Sequence, residues 1–232
     1  MSFEKSVEQS LTRSPLFEGL DASTLARLAS VMLPVSLKRN QVLFVQQDQP
    51  DGCYAVLNGA LKVSILNEEG EETILAALGK GDIVGEMGLI DEAPRSATIT
   101  ALKGAELAFL SSGRFNEIAG QHPEIYRHLL RIICIRLRAT NDSFQVRLSM
   151  GLEGRLAHTL LRLSDGFGNA LDGERVMIFH KFTQSDLGDM VGAARENVSR
   201  QLNQWCREGV LSKISGYYCI EKPEILRDLC EG

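Results

Sequence analysis

Residues 85–98 read Gly-Glu-Met-Gly-Leu-Ile-Asp-Glu-Ala-Pro-Arg-Ser-Ala-Thr. The stretch holds a Gly-Glu pair, a short apolar turn, and Arg95 nine residues after Glu86. Those residues suit a phosphate diester. Backbone N–H groups at the start of a helical turn carry the positive end of its dipole. The Arg95 guanidinium is a planar fork that can grip two phosphate oxygens. Ser96 adds a hydroxyl donor. Glu86 would repel a phosphate, so its presence implies that the ligand also offers a hydroxyl donor, such as a ribose 2′-OH. The alternative is a β-turn-β connection with a surface Glu–Arg pair.

A second stretch could read DNA. Thr183-Gln184-Ser185-Asp186 resembles a capping box opening a short helix, and Gly192 closes that helix. Residues 193–208 start the next helix, and Gly209 follows as its stop. Two short helices joined by a glycine turn form a helix-turn-helix. Its second helix carries Arg195, Glu196, Asn197, Ser199 and Arg200 in its first turns, where base edges are met. Arginines can bond guanine O6/N7 bidentately, and a glutamate can accept from cytosine N4. Glu196 and Arg200 could instead form an i,i+4 ion pair with each other. Residues 211–220 alternate around Ser215-Gly216 and read as a wing hairpin.

The 232-residue chain must position both stretches. Hydrophobic residues are 44% and charged residues 24%, enough for a packed core. No apolar run suits a membrane span, and Met1–Lys5 lacks a signal-peptide core, so a cytoplasmic protein with no membrane partner is expected. Net charge is −5, so any DNA affinity must come from a few local cations, namely Lys181, Arg195, Arg200 and Lys213. The five cysteines are scattered with no C-x-x-C, and the four histidines lack ligand spacing. No metal, haem or iron–sulfur cluster is expected.

Residues 7–30 have helical spacing, with Leu16-Phe17 and Leu20 before Asp21, a suitable N-cap. From Pro34 to Ser111, apolar runs alternate with turn signals at 38–40, 48–52, 58–59, 67–70, 79–82 and 103–104. About eight short strands fit a jelly roll. The phosphate stretch would then lie between the sixth and seventh strands. From Pro123, Leu130, Ile133, Leu137, Thr140, Phe144 and Leu148 give an apolar seam on a long helix. The seam predicts a two-stranded coiled coil, with packing on the chain's own barrel as the alternative. Thr140, polar in mid-seam, would need a partner chain or a ligand. Residues 166–173 read as an exposed loop, and Glu221–Gly232 as a short packing helix.

Gly85–Leu89 followed by Pro94–Thr98 resembles the phosphate-binding cassette of cyclic-nucleotide-binding domains. Asp51–Val63, an aspartate ahead of a tyrosine and then a turn glycine, resembles a second signature of that family. Residues 187–200 are similar to the winged helix of the cyclic AMP receptor protein and fumarate–nitrate regulator superfamily. The resemblance spans about residues 12–221. It implies an α+β chain: a jelly-roll nucleotide-binding domain (1–122), a dimerisation helix (123–150) and a winged helix-turn-helix DNA-binding domain (151–232).

The ligand site so implied comprises Gly85, Glu86, Met87, Arg95, Ser96, Arg136, Thr140 and Asn141. Glu86 would take the ribose 2′-OH, Arg95 the phosphate, and Thr140 the base, with Asn141 acting across the dimer. The implied DNA-binding set is Lys181, Thr183, Arg195, Glu196, Asn197, Ser199 and Arg200. Arg195, Glu196 and Arg200 fall on the family's base-reading triad, which implies a palindromic TGTGA-like site. The implied partners are double-stranded DNA, a second copy of the chain, and RNA polymerase. Cyclic AMP is the first effector implied. Asn141 stands where the family has serine, so cyclic GMP, another effector, or activity without ligand remain alternatives. Ala194 and Asn197 also depart, from a frequent serine and threonine. No cysteine precedes Cys53, and no histidine precedes His122, which argues against the iron–sulfur and haem branches. A nucleotide-cleaving enzyme would need a metal cluster or a base beside the phosphate. The cassette offers only Glu86.

Overall fold

The structure is a computed structural model that describes residues 3–14, 17, 19–68, 70 and 72–231, and omits the side chains of Arg13 and Glu231. Leu16 of the predicted first helical pattern, Glu69 of the 67–70 turn, Met1-Ser2 and Gly232 lie outside the described residues. Two compact units are formed: Met1–Ile65 with Leu78–Ala139, and Leu66–Ala77 with Thr140–Gly232.

In the first unit the expected helical stretch is two helices, α1 (Phe3–Arg13) and α2 (Ala22–Val31). Asp21 caps α2, accepting the N–H groups of Ser23 at 2.9 Å and Thr24 at 3.1 Å. Hydrogen bonds from the Ser23 and Thr24 side chains hold its carboxyl well below the usual carboxylate range.

The strands that follow are β1 (Leu33–Leu37), β2 (Val42–Phe44), β3 (Gly52–Leu66), β4 (Glu72–Leu78), β5 (Ile83–Val84) and β6 (Thr98–Ser111). They form one sheet in the order β1-β6-β3-β4, with β2 paired to β6 and β5 to β3. Among the described residues these are six strands, fewer than the eight expected, because two expected turns are irregularities inside long strands. Asn58-Gly59 lies within β3, opposite Lys103–Glu106 of β6, and the register shifts there. Gly59 has φ +107°, and a Cβ on it would lie 2.5 Å from Ala105. Bulges bend and twist a strand without ending it. The phosphate stretch therefore lies between β5 and β6, the fifth and sixth strands.

Side chains of β3 alternate between two cores, as strand geometry requires. Cys53, Ala55 and Leu57 pack with α1, α2 and the helices that follow the sheet. Tyr54, Val56 and Leu61 pack within the sheet against Ile99, Ala101 and Leu107. Those following helices are α3 (Ser112–Gln121) and α4 (Glu124–Ser149). Ile125, Leu129 and Ile132 bury the start of α4 in the first core.

Besides most of β4 and the end of α4, the second unit contains α5 (Leu152–Phe167), β7 (Gly168–Ala170), β8 (Val176–Ile178), α6 (Gln184–Val191), α7 (Arg195–Arg207), β9 (Leu211–Ile214), β10 (Tyr217–Ile220) and α8 (Pro223–Glu231). Its sheet order is β7-β8-β10-β9. The expected loop at 166–173 is instead the end of α5 and a strand, which pairs with β8 across a turn at Gly173. Gly168-Asn169-Ala170 has little intrinsic strand preference, so only its partner fixes it. The expected tail helix is α8, anchored by the fully buried Leu226.

Candidate functional site

Gly85 follows β5 with φ +80°, and a Cβ on it would stand 2.5 Å from Nη1 of Arg95. Only glycine therefore lets the backbone pass so close to the guanidinium. A 3-10 turn, Met87–Leu89, comes next, with Glu86 at its N-cap. Leu89 N–H donates to the Glu86 carbonyl at 3.1 Å and Ile90 N–H to the Met87 carbonyl at 2.9 Å. The first N–H groups of a helical turn have no acceptor inside it.

Arg95 is only 4% exposed. Its Nη1 donates to the Gly85 carbonyl at 2.9 Å. Its Nη2 donates to Asp51 Oδ1 at 2.7 Å and to the Gly52 carbonyl at 2.9 Å. Cζ lies 4.2 Å from the centre of the Phe44 ring, an attractive cation–π contact that consumes no N–H donor. The backbone is clamped as well: Arg95 N–H donates to Asp48 at 2.8 Å, and Gln47 N–H donates to Arg95 at 2.9 Å. Its buried Nε–H has no acceptor among the described residues. Such a donor costs about 1–3 kcal/mol while unmet, which an arriving oxyanion would recover.

Glu86, 1% exposed, is paired with Arg136 of α4, which also donates to the Ile83 carbonyl. The cassette is thus joined to the helix through one ion pair. Burial, then the Glu86 charge, pushes the Cys53 thiol up to about 12, which makes it unreactive. Burial, then Asp51, pushes the Tyr54 hydroxyl up to about 12; that hydroxyl donates to Asp51 at 3.4 Å. Ser96 is exposed, and its hydroxyl donates to Met87 Sδ at 3.6 Å.

Thr140 and Asn141 are exposed on α4, Thr140 one turn beyond Arg136 and so on the same helix side. The α4 seam is present as an uncovered stripe. Leu130, Leu137 and Phe144 recur every seven residues at 54%, 59% and 64% exposure, and Leu148 extends them at 74%.

In the second unit, Thr183 and Asp186 close the capping box of α6. The Thr183 hydroxyl both donates to and accepts from Asp186, so the cap occupies it. Gly192 ends α6 at φ +63°. Helix α7 buries Val198, Gln201, Leu202 and Trp205 and exposes Arg195, Glu196 and Arg200, while Asn197 and Ser199 are half-buried. Ala194, at its N-cap, makes no side-chain cap bond.

The i,i+4 pair of Glu196 with Arg200 is not formed: Arg200 donates to Asn197 Oδ1 instead. Positions i+3 and i+4 are about equally near on a helix, and an amide oxygen is an adequate acceptor. Lys181 Nζ lies 5.0 Å over the Tyr217 ring, and Lys213 Nζ 4.9 Å over Tyr218. Phe44 and the polar bridge through Gln201 escaped sequence reading. In the orientation that satisfies both neighbours, the Gln201 amide accepts from Trp205 Nε1 and donates to Glu153 Oε1, each at 3.1 Å. Phe44 carried no signal beyond a strand aromatic. A glutamine on the apolar face of α7 is the sequence signal for that bridge.

A buried arginine–glutamate cassette and a helix-turn-helix with a wing on one chain define a ligand-binding transcription regulator. Residues 34–122 match the family model of the cyclic nucleotide-binding domain, and residues 154–229 match the Crp-like helix-turn-helix domain. The chain is 31% identical over 171 residues to the cAMP-activated global transcriptional regulator CRP of Salmonella typhimurium, covering 73% of this chain and 80% of that one. It is 28% identical over 203 residues to the CRP-like cAMP-activated global transcriptional regulator of Mycobacterium tuberculosis, covering 88% and 90%. The fold is similar to that of FixK2 from Bradyrhizobium japonicum, with a TM-score of 0.76 at 21% identity, covering 86% of this chain and 97% of that one. The protein belongs to the CRP family of transcription regulators, and its relatives are regulators rather than enzymes. Among the described residues no helix is long and apolar enough to cross a membrane.

Proposed function

We propose that the protein is a homodimeric DNA-binding regulator switched by cyclic AMP at the Glu86–Arg95 cassette. The observation that carries this reading is the buried Arg95 guanidinium, held by Gly85, Asp51, Gly52 and Phe44 with its Nε–H unmet. The cyclic phosphate would accept from Arg95, the Ser96 hydroxyl and the cassette N–H groups. The ribose 2′-OH would donate to Glu86, competing with Arg136 for that carboxylate. Binding would thereby alter the tie between cassette and α4, and a ligand shifts an equilibrium only through such differential contacts. Thr140, and Asn141 of a second copy, would meet the base. The uncovered α4 stripe supports a parallel helix pair as the dimer contact. We retain 1–122, 123–150 and 151–232 as the three functional segments.

At the output end, Arg195 and Arg200 would bond guanines, and Glu196 a cytosine, in a TGTGA-like half-site. Asn197, Ser199, Lys181 and the Thr183 region would contact the backbone or flanking bases. The relatives named as cAMP-activated favour cyclic AMP. Asn141, with both a donor and an acceptor, keeps cyclic GMP as the second reading. Calorimetric titration with each nucleotide, followed by binding to a TGTGA–N6–TCACA duplex with and without it, tests both. Tight binding of cyclic AMP with raised DNA affinity is the expected result. A preference for cyclic GMP would select the second reading. No binding of either would refute the cassette assignment.

A further inference from the structure

Among the described methionines Met32 is buried, Met150, Met177 and Met190 are half-buried, and Met87 alone is exposed, at 43%. Met87 is also the first residue of the cassette's 3-10 turn, and its sulfur accepts the Ser96 hydroxyl at 3.6 Å. The most exposed of the described methionines therefore touches, through its sulfur, one of the hydroxyls assigned to phosphate. We propose that Met87 is an oxidation site through which a peroxide lowers the protein's affinity for cyclic nucleotide. The proposal rests on the cassette being a phosphate site.

The step balances with a peroxide as oxidant. A sulfur lone pair attacks one peroxide oxygen, the O–O bond breaks, and an S–O bond forms. With hydrogen peroxide, sulfur loses two electrons, the proton on the attacked oxygen passes to the second oxygen, and that oxygen leaves as water. The product is methionine sulfoxide, which a thiol-dependent reductase returns to the thioether with release of water and a disulfide. A thioether is a weak acceptor, whereas a sulfoxide oxygen is polar and accepts strongly. Formed beside Ser96, that oxygen would hold the hydroxyl that the phosphate needs. It would also place a negative dipole where the anionic ligand must sit. The neighbouring Cys53 is a poor competitor, because its buried thiol is held protonated.

The test titrates dilute hydrogen peroxide into the purified full-length protein. Peptide mass spectrometry locates the added oxygen, and calorimetry reads cyclic AMP affinity before and after. Met87 should oxidise ahead of the other methionines. Affinity should then fall roughly 10- to 100-fold, the range for losing a hydrogen bond to a charged group. Methionine sulfoxide reductase with a thiol should restore it. Met87→Leu should keep its own affinity through the same treatment. Ser96→Ala should bind more weakly at the outset and lose less on oxidation. The proposal is overturned if oxidised Met87 leaves affinity within twofold, if another methionine reacts first, or if Met87→Leu loses affinity like the parent. Failure of the untreated protein to bind cyclic AMP or cyclic GMP would instead remove the phosphate reading on which the proposal stands.

Discussion

Arg95 shows how much of a candidate binding residue's setting lies in its neighbours. Its type and its distance from Glu86 are legible in sequence. The Phe44 ring, the Asp51 carboxylate and the Gly85 carbonyl around it are not, because they come from positions ten to fifty-one residues away. Likewise, nothing local says that Arg136 occupies Glu86 across fifty residues. Replacing Arg95 by alanine would remove the proposed phosphate fork and take one donor from each of the Gly85 and Gly52 carbonyls. Cyclic nucleotide affinity should fall by on the order of 1.5–3 kcal/mol or more, read by calorimetry, and the thermal midpoint should fall with it. Undiminished affinity would show that the phosphate binds elsewhere. Glu196 makes the opposite case. It has no ion pair with Arg200, so Glu196→Ala should change stability by no more than about 0.5 kcal/mol. On DNA the same change should relax discrimination at one cytosine by about 1–3 kcal/mol, measured by competition with single-base variants of the operator. A uniform loss across all variants would make Glu196 a general contact rather than a base reader.

Elements were legible wherever a local chemical rule decides them. The Asp21 cap, the Thr183–Asp186 box, Gly192, Gly209 and the Ser215-Gly216 wing turn all fall where side-chain chemistry placed them. The two segments whose local signals point away from a strand share one cause. Asn58-Gly59 looks like a turn and Gly168–Ala170 like a loop, yet both are in strands, since pairing with a distant strand outweighs local preference. Helix α4 was legible in its periodicity, and its two sides now separate cleanly. Ile125, Leu129 and Ile132 are buried in the chain's own core, while Leu130, Leu137 and Phe144 are left to water. Leu137→Glu should therefore leave the fold of the single chain intact. It would place like charges opposite each other at a helix pair. If the proposed α4 pairing holds, sedimentation should report a dimer for the parent and a monomer for the variant, and operator affinity should collapse, because two half-sites would no longer be held together. A dimer that survives this change would place the contact on another surface.

For the whole molecule, stability changes with pH through the groups whose proton affinity differs between the folded and the unfolded chain. His158 on α5 is the informative one. Burial lowers its pKa from the ordinary 6.5; the Arg162 charge adds to the effect and Asp142 opposes it. The folded chain thus takes up this proton less readily than the unfolded chain. As pH falls through 6.5, the unfolded state gains protons first and stability declines. Glu221 behaves differently. Hydrogen bonds from Arg175 and Ser212 lower its pKa below the ordinary 4.5, so the stability it lends persists through mild acid and is lost only below that value. Acidification should therefore weaken the second unit in two stages, the first between about pH 7 and pH 5. Thermal unfolding followed through Trp205, which is buried in α7, reports on that unit. The midpoint should drop between pH 7.5 and pH 5.5, and His158→Gln should flatten that drop while leaving the loss below 4.5 in place. An unchanged slope in the variant would assign the mild-acid loss to a group other than His158.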